Sequence, residues 1–189
     1  LVVGTVLRAA DLDTADGEII GADTEIHAGE VLRTVGPESF AVLQFVDDTV
    51  FAVAGDSELQ CTFDGERKRV IVTEGDLMAQ VTRRPNKAPM VIETSLAEAE
   101  ILGTKLSLFA NVDMTELTVQ DGEVRMHRLS DGFTIDVRGG ETLVGSVTSD
   151  WVPQPLKPIS SIWEENFDNG QPRRWRAGRL VDESLPSGS

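Results

Sequence analysis

The sequence contains few of the residues from which disulfides, zinc sites and membrane spans are built. Its 189 residues include one cysteine, Cys61, and two histidines, so no disulfide can close within the chain. There is no C-x-x-C, H-E-x-x-H or closely spaced histidine pair, so the sequence does not predict a zinc site. No apolar run reaches the roughly 18 residues of a spanning helix. A lone cysteine does not indicate the redox compartment.

Positive charge is also scarce. The chain has 17 basic and 32 acidic residues, a formal charge of −15 and a pI near 4.4. We therefore expect no nucleic-acid partner, because such a surface repels phosphate groups. The lack of a long apolar run predicts no direct insertion of this chain into a membrane. A chain of this length can bury roughly 70% of its unfolded surface, enough for a core. It begins with Leu1 rather than Met, so we expect a longer parent protein, and the lack of a signal peptide excludes nothing.

The composition changes near residue 150. Residues 1–150 carry 12 basic and 27 acidic residues, whereas residues 151–189 carry five of each and all three tryptophans. Pro153, Pro155 and Pro158 disfavour helix and stiffen the chain between the two parts. This pattern predicts a first domain over 1–150, a proline-rich linker over 151–162 and a tail over 163–189.

The first part has the two-residue period of β-strands. Apolar residues occupy alternate positions of residues 117–119 and 124–126, and Asp121-Gly122 between them has the chemistry of a tight turn. These residues predict a half-buried hairpin. Similar turn signals recur along the chain at Asp16-Gly17, Asp47-Asp48, Asp64-Gly65, Asp131-Gly132 and Gly139-Gly140. We therefore predict an all-β fold in which many short antiparallel strands and hairpins form a twisted sandwich or roll.

Two features leave alternatives open. Ser95 and Glu98 have the spacing of a capping box, but Ala97, Ala99 and Ile101 alternate with glutamates, and we favour a strand because a glycine follows after about two turns. The stretch 43–50 also aligns with 117–124 at an offset of 74 residues. This similarity indicates either two related β units or only the common chemistry of turns that contain aspartate.

No group of residues in the sequence has the pattern of a catalytic site. His27 and His127 are far apart, and no serine lies in a G-x-S-x-G pattern. Cys61 lies at alternate positions with apolar residues of the same predicted strand, so its side chain should share their buried face. This position indicates a buried, inert thiol. The spacing of Asp11, Asp13 and Asp16 differs from the spacing of the ligands in a calcium-binding EF-hand loop. We therefore predict no enzyme, no catalytic residue, no cofactor and no metal site.

Basic residues cluster once. Arg67, Lys68 and Arg69 lie beside a turn, and Arg83-Arg84 and Lys87 occupy a loop before Pro89. If the two loops share one end of the domain, they form a site for an acidic partner; otherwise they are a solvated hairpin tip.

Four ordered motifs suggest a family. Residues 29–34 followed by 41–50 (AVLQFVDDTV) resemble the opening of the FecR-type periplasmic domain, where a small-residue turn precedes A-x-L-x-F-x-D-G. Its later motifs are similar to three further stretches, which are VIVTEGDLMAQV at 70–81, LGTKL at 102–106, and 117–126 followed by GETL at 140–143. The resemblance covers residues 4–147. The sequence departs from the pattern at Asp48, where glycine is usual, and at Leu106, where phenylalanine is common.

The resemblance implies an extracytoplasmic, non-enzymatic sensory or docking domain in the periplasm or at the cell surface. Its best-known members sit behind a membrane helix, receive a signal from an outer-membrane receptor and control a sigma factor. The implied partner is therefore a protein of the cell envelope, either a receptor or a neighbouring module of the same protein. Which residues bind that partner is left open.

Other members of the family precede lectin-like modules. Residues 163–170 (WEENFDNG), Trp175, Gly178 and Leu185-Pro186 are similar to the first strands of a concanavalin-type sandwich. Because so few residues cannot bury a core, we expect the tail either to pack on the first domain or to be poorly ordered. The alternative function is a carbohydrate-associated scaffold module whose tryptophans stack on sugar rings.

Overall fold

The computed structural model describes residues 1–64, 67–83, 88–156, 175–176 and 179–180, and all regular structure in these residues is β-strand. The first nine strands are β1 (Val2–Ala10), β2 (Leu12–Thr14), β3 (Ile19–Ile20), β4 (Glu25–His27), β5 (Val31–Thr34), β6 (Phe40–Phe45), β7 (Val50–Val53), β8 (Ser57–Asp64) and β9 (Arg67–Gln80). The others are β10 (Met90–Glu93), β11 (Ala97–Ile101), β12 (Lys105–Ala110), β13 (Met114–Asp121), β14 (Glu123–Arg128), β15 (Thr134–Arg138), β16 (Glu141–Ser146), β17 (Gln154–Pro155), β18 (Trp175–Arg176) and β19 (Arg179–Leu180). The prediction of an all-β fold is confirmed.

The first seventeen strands form two sheets that share one strand. Sheet A has the order β4-β1-β6-β7-β9-β12-β13-β16-β17. Sheet B has the order β3-β2-β5-β8-β9-β10-β11-β14-β15. All neighbours are antiparallel except β9 and β10. Strands β18 and β19 form a separate hairpin.

Strand β9 passes from one sheet to the other. Its first part pairs with β8 and β10 in sheet B, and Gly75 to Gln80 pair with β7 and β12 in sheet A. Gly75 has a φ of 117°, and a Cβ at this position would collide with the side chain of Ser57. Glycine is therefore required where the strand changes sheets.

The core lies between the sheets. Alternate side chains of both sheets point inward and form one cluster, in which Phe45 and Phe51 meet edge to face with ring centroids 5.1 Å apart. The sandwich thus follows from the two-residue period of its strands. Residues 97–101 are strand β11, as predicted, with the alanines inward and Glu98 and Glu100 outward.

The predicted hairpin over 117–126 is wrong. The chain leaves sheet A after β13 and enters sheet B with β14, so these two strands have different partners. Gly122 has a φ of 95°, and a Cβ atom added to it would lie 2.9 Å from the carbonyl oxygen of Gly103. Asp121-Gly122 is therefore a corner between sheets. Because residues 43–50 do form a hairpin, the offset of 74 residues does not reflect a repeated unit.

Contacts with the sandwich continue past residue 150. Trp151 is 3% exposed and belongs to the core, where its indole occupies the space beside Gly145 and its Nε1 donates to the carbonyl of Ser146 at 3.2 Å. Strand β17 then pairs with β16. The domain and linker boundaries stay predictions, and the lectin-like tail at 163–189 lies outside the described residues except for the backbone of β18 and β19.

We expect Trp151→Ala to lower the free energy of unfolding by about 3 to 5 kcal/mol, because a large buried side chain leaves a cavity. Urea denaturation measures this change. The neighbouring Val152 is 54% exposed, so Val152→Ala is the control and should change stability by less than about 0.5 kcal/mol. Equal effects of the two substitutions would contradict the placement of Trp151 in the core.

Candidate functional site

The outer face of sheet B is covered by ion pairs. Arg69 donates to Glu98 at 2.6 Å and to Glu93, and these two hydrogen bonds raise the pKa of its guanidinium. Arg67 lies 3.3 Å from Glu100. These carboxylates come from β10 and β11, whose partners in the sheet the sequence did not reveal. The two arginines are therefore matched within the protein and do not form a free anion site.

His127 lies on this same outer face. Its Nε2 is 3.5 Å from Glu100 and its Nδ1 is 3.0 Å from the hydroxyl of Thr134. His27 is exposed, and its backbone N–H donates to Glu30. The two histidines lie on different sheets, His27 on β4 of sheet A and His127 on β14 of sheet B, so they do not form one site.

The remaining member of the basic cluster, Lys68, points into the sandwich and is 7% exposed. Its Nζ donates to both carboxylate oxygens of Asp47 at 2.8 Å and lies 4.4 Å from the ring centroid of Phe45. Lys68 belongs to sheet B and Asp47 to the β6–β7 turn of sheet A, so this pair ties the two sheets together at one end. Burial opposes ionisation of Asp47, but the bonds from Lys68 outweigh it and lower the pKa of the carboxyl.

A cavity of about 180 Å³ opens beside this pair, with mostly apolar walls that include Phe63, Met90 and Ile101. It is smaller than the usual pocket for a drug-sized ligand. Cys61 is buried nearby at 2% exposure, and burial raises the pKa of its thiol to about 11. The prediction of a buried cysteine is confirmed.

The acidic residues that the structure describes do not gather into a metal centre. Within the described ranges, no three histidine, cysteine, aspartate or glutamate side chains come close enough to hold an ion. Asp11 and Asp48 have positive φ values of 51° and 62°, which places them at tight turns. Their role there is conformational.

The outer face of sheet A differs from that of sheet B. A shallow groove crosses β7, β9, β12 and β13, and its walls include Met78, Phe109, Glu116 and Asp76. In the register, Phe109 is flanked by Asp76 on one strand and Glu116 on the other. The groove is lined by no lysine, arginine or histidine among the described residues. Alternation marks these residues as outward-facing, but the sequence does not show which strands lie side by side.

Strand β15 is an open edge of sheet B. It pairs with β14 on one side, and no strand of the described chain pairs with its other side. Gly139 donates to the carbonyl of Gly122 at 2.9 Å, and the alternation of antiparallel pairing then directs the N–H of Asp136 away from β14. The other edge strands, β3, β4 and β17, have only two or three residues, whereas β15 has five. This edge is the best template for an added strand.

We expect Asp47→Asn to lower the free energy of unfolding by about 2 kcal/mol at pH 7, because it removes the carboxylate that pairs with the buried ammonium of Lys68. The folded pKa of Asp47 is depressed, so its stabilisation is complete above the unfolded value of about 3.9 and is lost as the pH falls through the folded value. The wild type and the variant should therefore converge in acid, as urea titrations at several pH values would reveal. Arg138→Ala breaks an exposed pair and should change stability by less than about 0.5 kcal/mol.

We also expect Cys61 to resist alkylation in the native protein at pH 8 and to react fully in urea, because burial disfavours its thiolate. A thiol reagent with mass-spectrometric detection distinguishes the two states. Rapid labelling without denaturant would contradict the observed burial.

Among the described residues, no helix is long and apolar enough to cross a lipid bilayer.

None of the curated proteins matches the sequence. Two crystal structures of a proposed anti-sigma factor from Parabacteroides distasonis are similar in fold, with TM-scores of 0.58 and 0.57 at 16% identity. Each match covers 65% of this chain and 58% of the Parabacteroides chain, so the likeness spans little more than half of that protein. A family model described as FecR protein matches residues 30–125, which run from the end of the β4–β5 turn into β14. The chain belongs to the FecR family.

Proposed function

We propose that this chain is a non-enzymatic, extracytoplasmic docking domain that acts through protein contacts in cell-envelope signalling. Membership of the FecR family is the observation that carries this proposal. The fold is shared with a proposed anti-sigma factor, which favours a role in the regulation of transcription over a catalytic one.

The proposed partner is an envelope protein, either a receptor or a neighbouring module, that adds an extended segment to β15. An added strand gains backbone hydrogen bonds from an edge without needing a deep pocket. The outward N–H of Asp136 is central to such an edge, and Val137 anchors the strand to the core from its inner face. Of the three tryptophans on which the carbohydrate alternative depends, Trp151 is buried and cannot present its ring to a sugar, and the side chains of Trp163 and Trp175 lie outside the described residues.

We expect Asp136→Pro to weaken the signalling response, because proline removes the outward N–H donor while edge strands tolerate proline. The measurement is signal-dependent transcription of a reporter gene under the sigma factor that this role implies, in cells that express the whole protein. The response should fall about tenfold, which corresponds to a loss of about 1.4 kcal/mol in partner binding.

Asp136→Ala is the matched control. It removes the same carboxylate and its ion pair with Arg125, but it keeps the backbone N–H. Transcription should respond normally in this variant. An unchanged response with Asp136→Pro would refute docking at β15, and a hydrolytic activity abolished by changing one acidic pair would refute the non-enzymatic role.

A further inference from the structure

The backbone of β15 alternates between the two sides of the strand. The carbonyl of Phe133 and the N–H of Gly139 bond toward β14, at 2.8 and 2.9 Å. Because antiparallel pairing alternates, the N–H and C=O groups of the residues between them point to the free side of β15, and these residues are Thr134, Asp136 and Arg138. Each of them offers one donor and one acceptor to an added strand.

One of these donors is already occupied by the chain itself. The N–H of Arg138 donates to Oε2 of Glu141, on the neighbouring β16, at 2.8 Å. This carboxylate takes the hydrogen bond that a further strand would otherwise receive, which is one way in which proteins limit an exposed edge. Within the described chain, no such bond reaches the N–H of Thr134 or Asp136. The edge is therefore capped at Arg138 and open at the two residues before it.

The inward side chains of β15 show the same division. Val137 is 0% exposed, Ile135 is partly buried against the core, and Phe133 is 42% exposed. The inner face of the strand is thus covered beside the capped end and uncovered where the backbone is open. A segment that pairs with Thr134 and Asp136 would bring its own inward side chains beside Ile135 and Phe133.

The ring of Phe133 is held in place although it is exposed. The Cζ atom of Arg128 lies 5.0 Å from the ring centroid of Phe133 and 5.5 Å from that of Trp151. Arg128 also donates to Asp131 at 2.6 Å, which fixes the guanidinium beside the two rings. An aromatic side chain that is fixed before binding loses little conformational entropy on binding, as is typical of anchor residues in interfaces.

The charged side chains of this edge are matched within the sheet. Asp136 pairs with Arg125 at 2.8 Å, and Arg138 pairs with Glu123 at 3.1 Å. A partner at this edge therefore meets balanced charges, although the chain as a whole carries −15. Such a surface is complementary to an uncharged segment rather than to a strongly acidic or basic one.

Given the docking at β15 proposed above, on which this inference rests, we propose that the docked segment is short, extended and uncharged, with apolar side chains at alternate positions. It pairs with the backbone of Thr134 and Asp136, and its apolar side chains cover Phe133 and Ile135. The cap at Arg138 determines where the segment ends. The open stretch 133–136 is about 14 Å long at 3.4 Å per residue.

Hydrogen exchange of the whole chain, followed by NMR, tests the edge without a partner. The amides of Thr134 and Asp136 should exchange at least about tenfold faster than the capped amide of Arg138. Glu141→Ala should accelerate exchange at Arg138 about tenfold, whereas Glu141→Gln keeps an acceptor oxygen and should change it little. Slow exchange at Thr134 and Asp136 would overturn the open edge, and unchanged exchange at Arg138 in Glu141→Ala would overturn the cap.

Photo-crosslinking in cells that express the whole protein tests the nature of the segment. Phe133→benzoylphenylalanine should give a light-dependent adduct with an envelope protein, and the crosslinked peptide should be uncharged with alternate apolar residues. The adduct should be lost with Asp136→Pro and kept with Asp136→Ala. Val144, on sheet A, is 43% exposed, so the same photoreactive residue at that position is the matched control and should give no such adduct.

Transcription distinguishes a failure of the segment from a failure of the docking itself. Phe133→Ser should lower the signal-dependent response about fivefold, while Val144→Ser should leave it unchanged. A response that falls with Asp136→Pro but not with Phe133→Ser would leave docking at β15 standing and refute the apolar segment. A response that falls with neither would refute both. The absence of an adduct at position 133, a charged crosslinked peptide or one from a second copy of this chain would also overturn the inference.

Discussion

One strand that serves two sheets constrains the whole architecture. Because β9 begins in sheet B and ends in sheet A, it fixes the distance and the angle between the sheets at the centre of the molecule. The crossing is possible only with a residue that adopts a positive φ and has no side chain to collide with Ser57, which Gly75 provides. The hydrophobic core then forms on both sides of this strand, and the course of β9 determines where the outer faces of the two sheets lie.

The large negative charge is distributed unevenly over those faces. On sheet B, arginines alternate with carboxylates across neighbouring strands, so most of the charge there is locally balanced. At the end of the sandwich, Lys68 and Asp47 place one pair inside, where it connects the sheets. On sheet A, the carboxylates of Asp76 and Glu116 lie in a groove whose walls also include Met78 and Phe109. The net charge of −15 is therefore not spread evenly over the surface, since carboxylates on the outer face of sheet B are matched by arginines.

Local chemistry in the sequence predicts the strands but not their partners. The alternation at 97–101 identifies β11 because one face of it is buried and the other is charged. The same reasoning fails at Asp121-Gly122, because a glycine with positive φ suits a corner between sheets as well as a hairpin turn. The basic cluster at 67–69 looks like a free patch in the sequence, since its partners lie about 20 to 30 residues away and become neighbours only when the sheets form. Composition places Trp151 in the proline-rich linker and carries no information on the packing of its indole beside Gly145.

The order of the strands also bears on how such a domain can change in length. From β5 onward each sheet is filled in the order of the sequence, and the chain mostly adds two strands to one sheet before it moves to the other. A further hairpin after β17 would extend one sheet without disturbing any existing pair, whereas the loss of β16 and β17 would also remove Leu143 and Trp151 from the core. Addition in steps of two strands is therefore the easiest route by which homologous domains can grow, and it would occur at the ends of the sandwich rather than at β9.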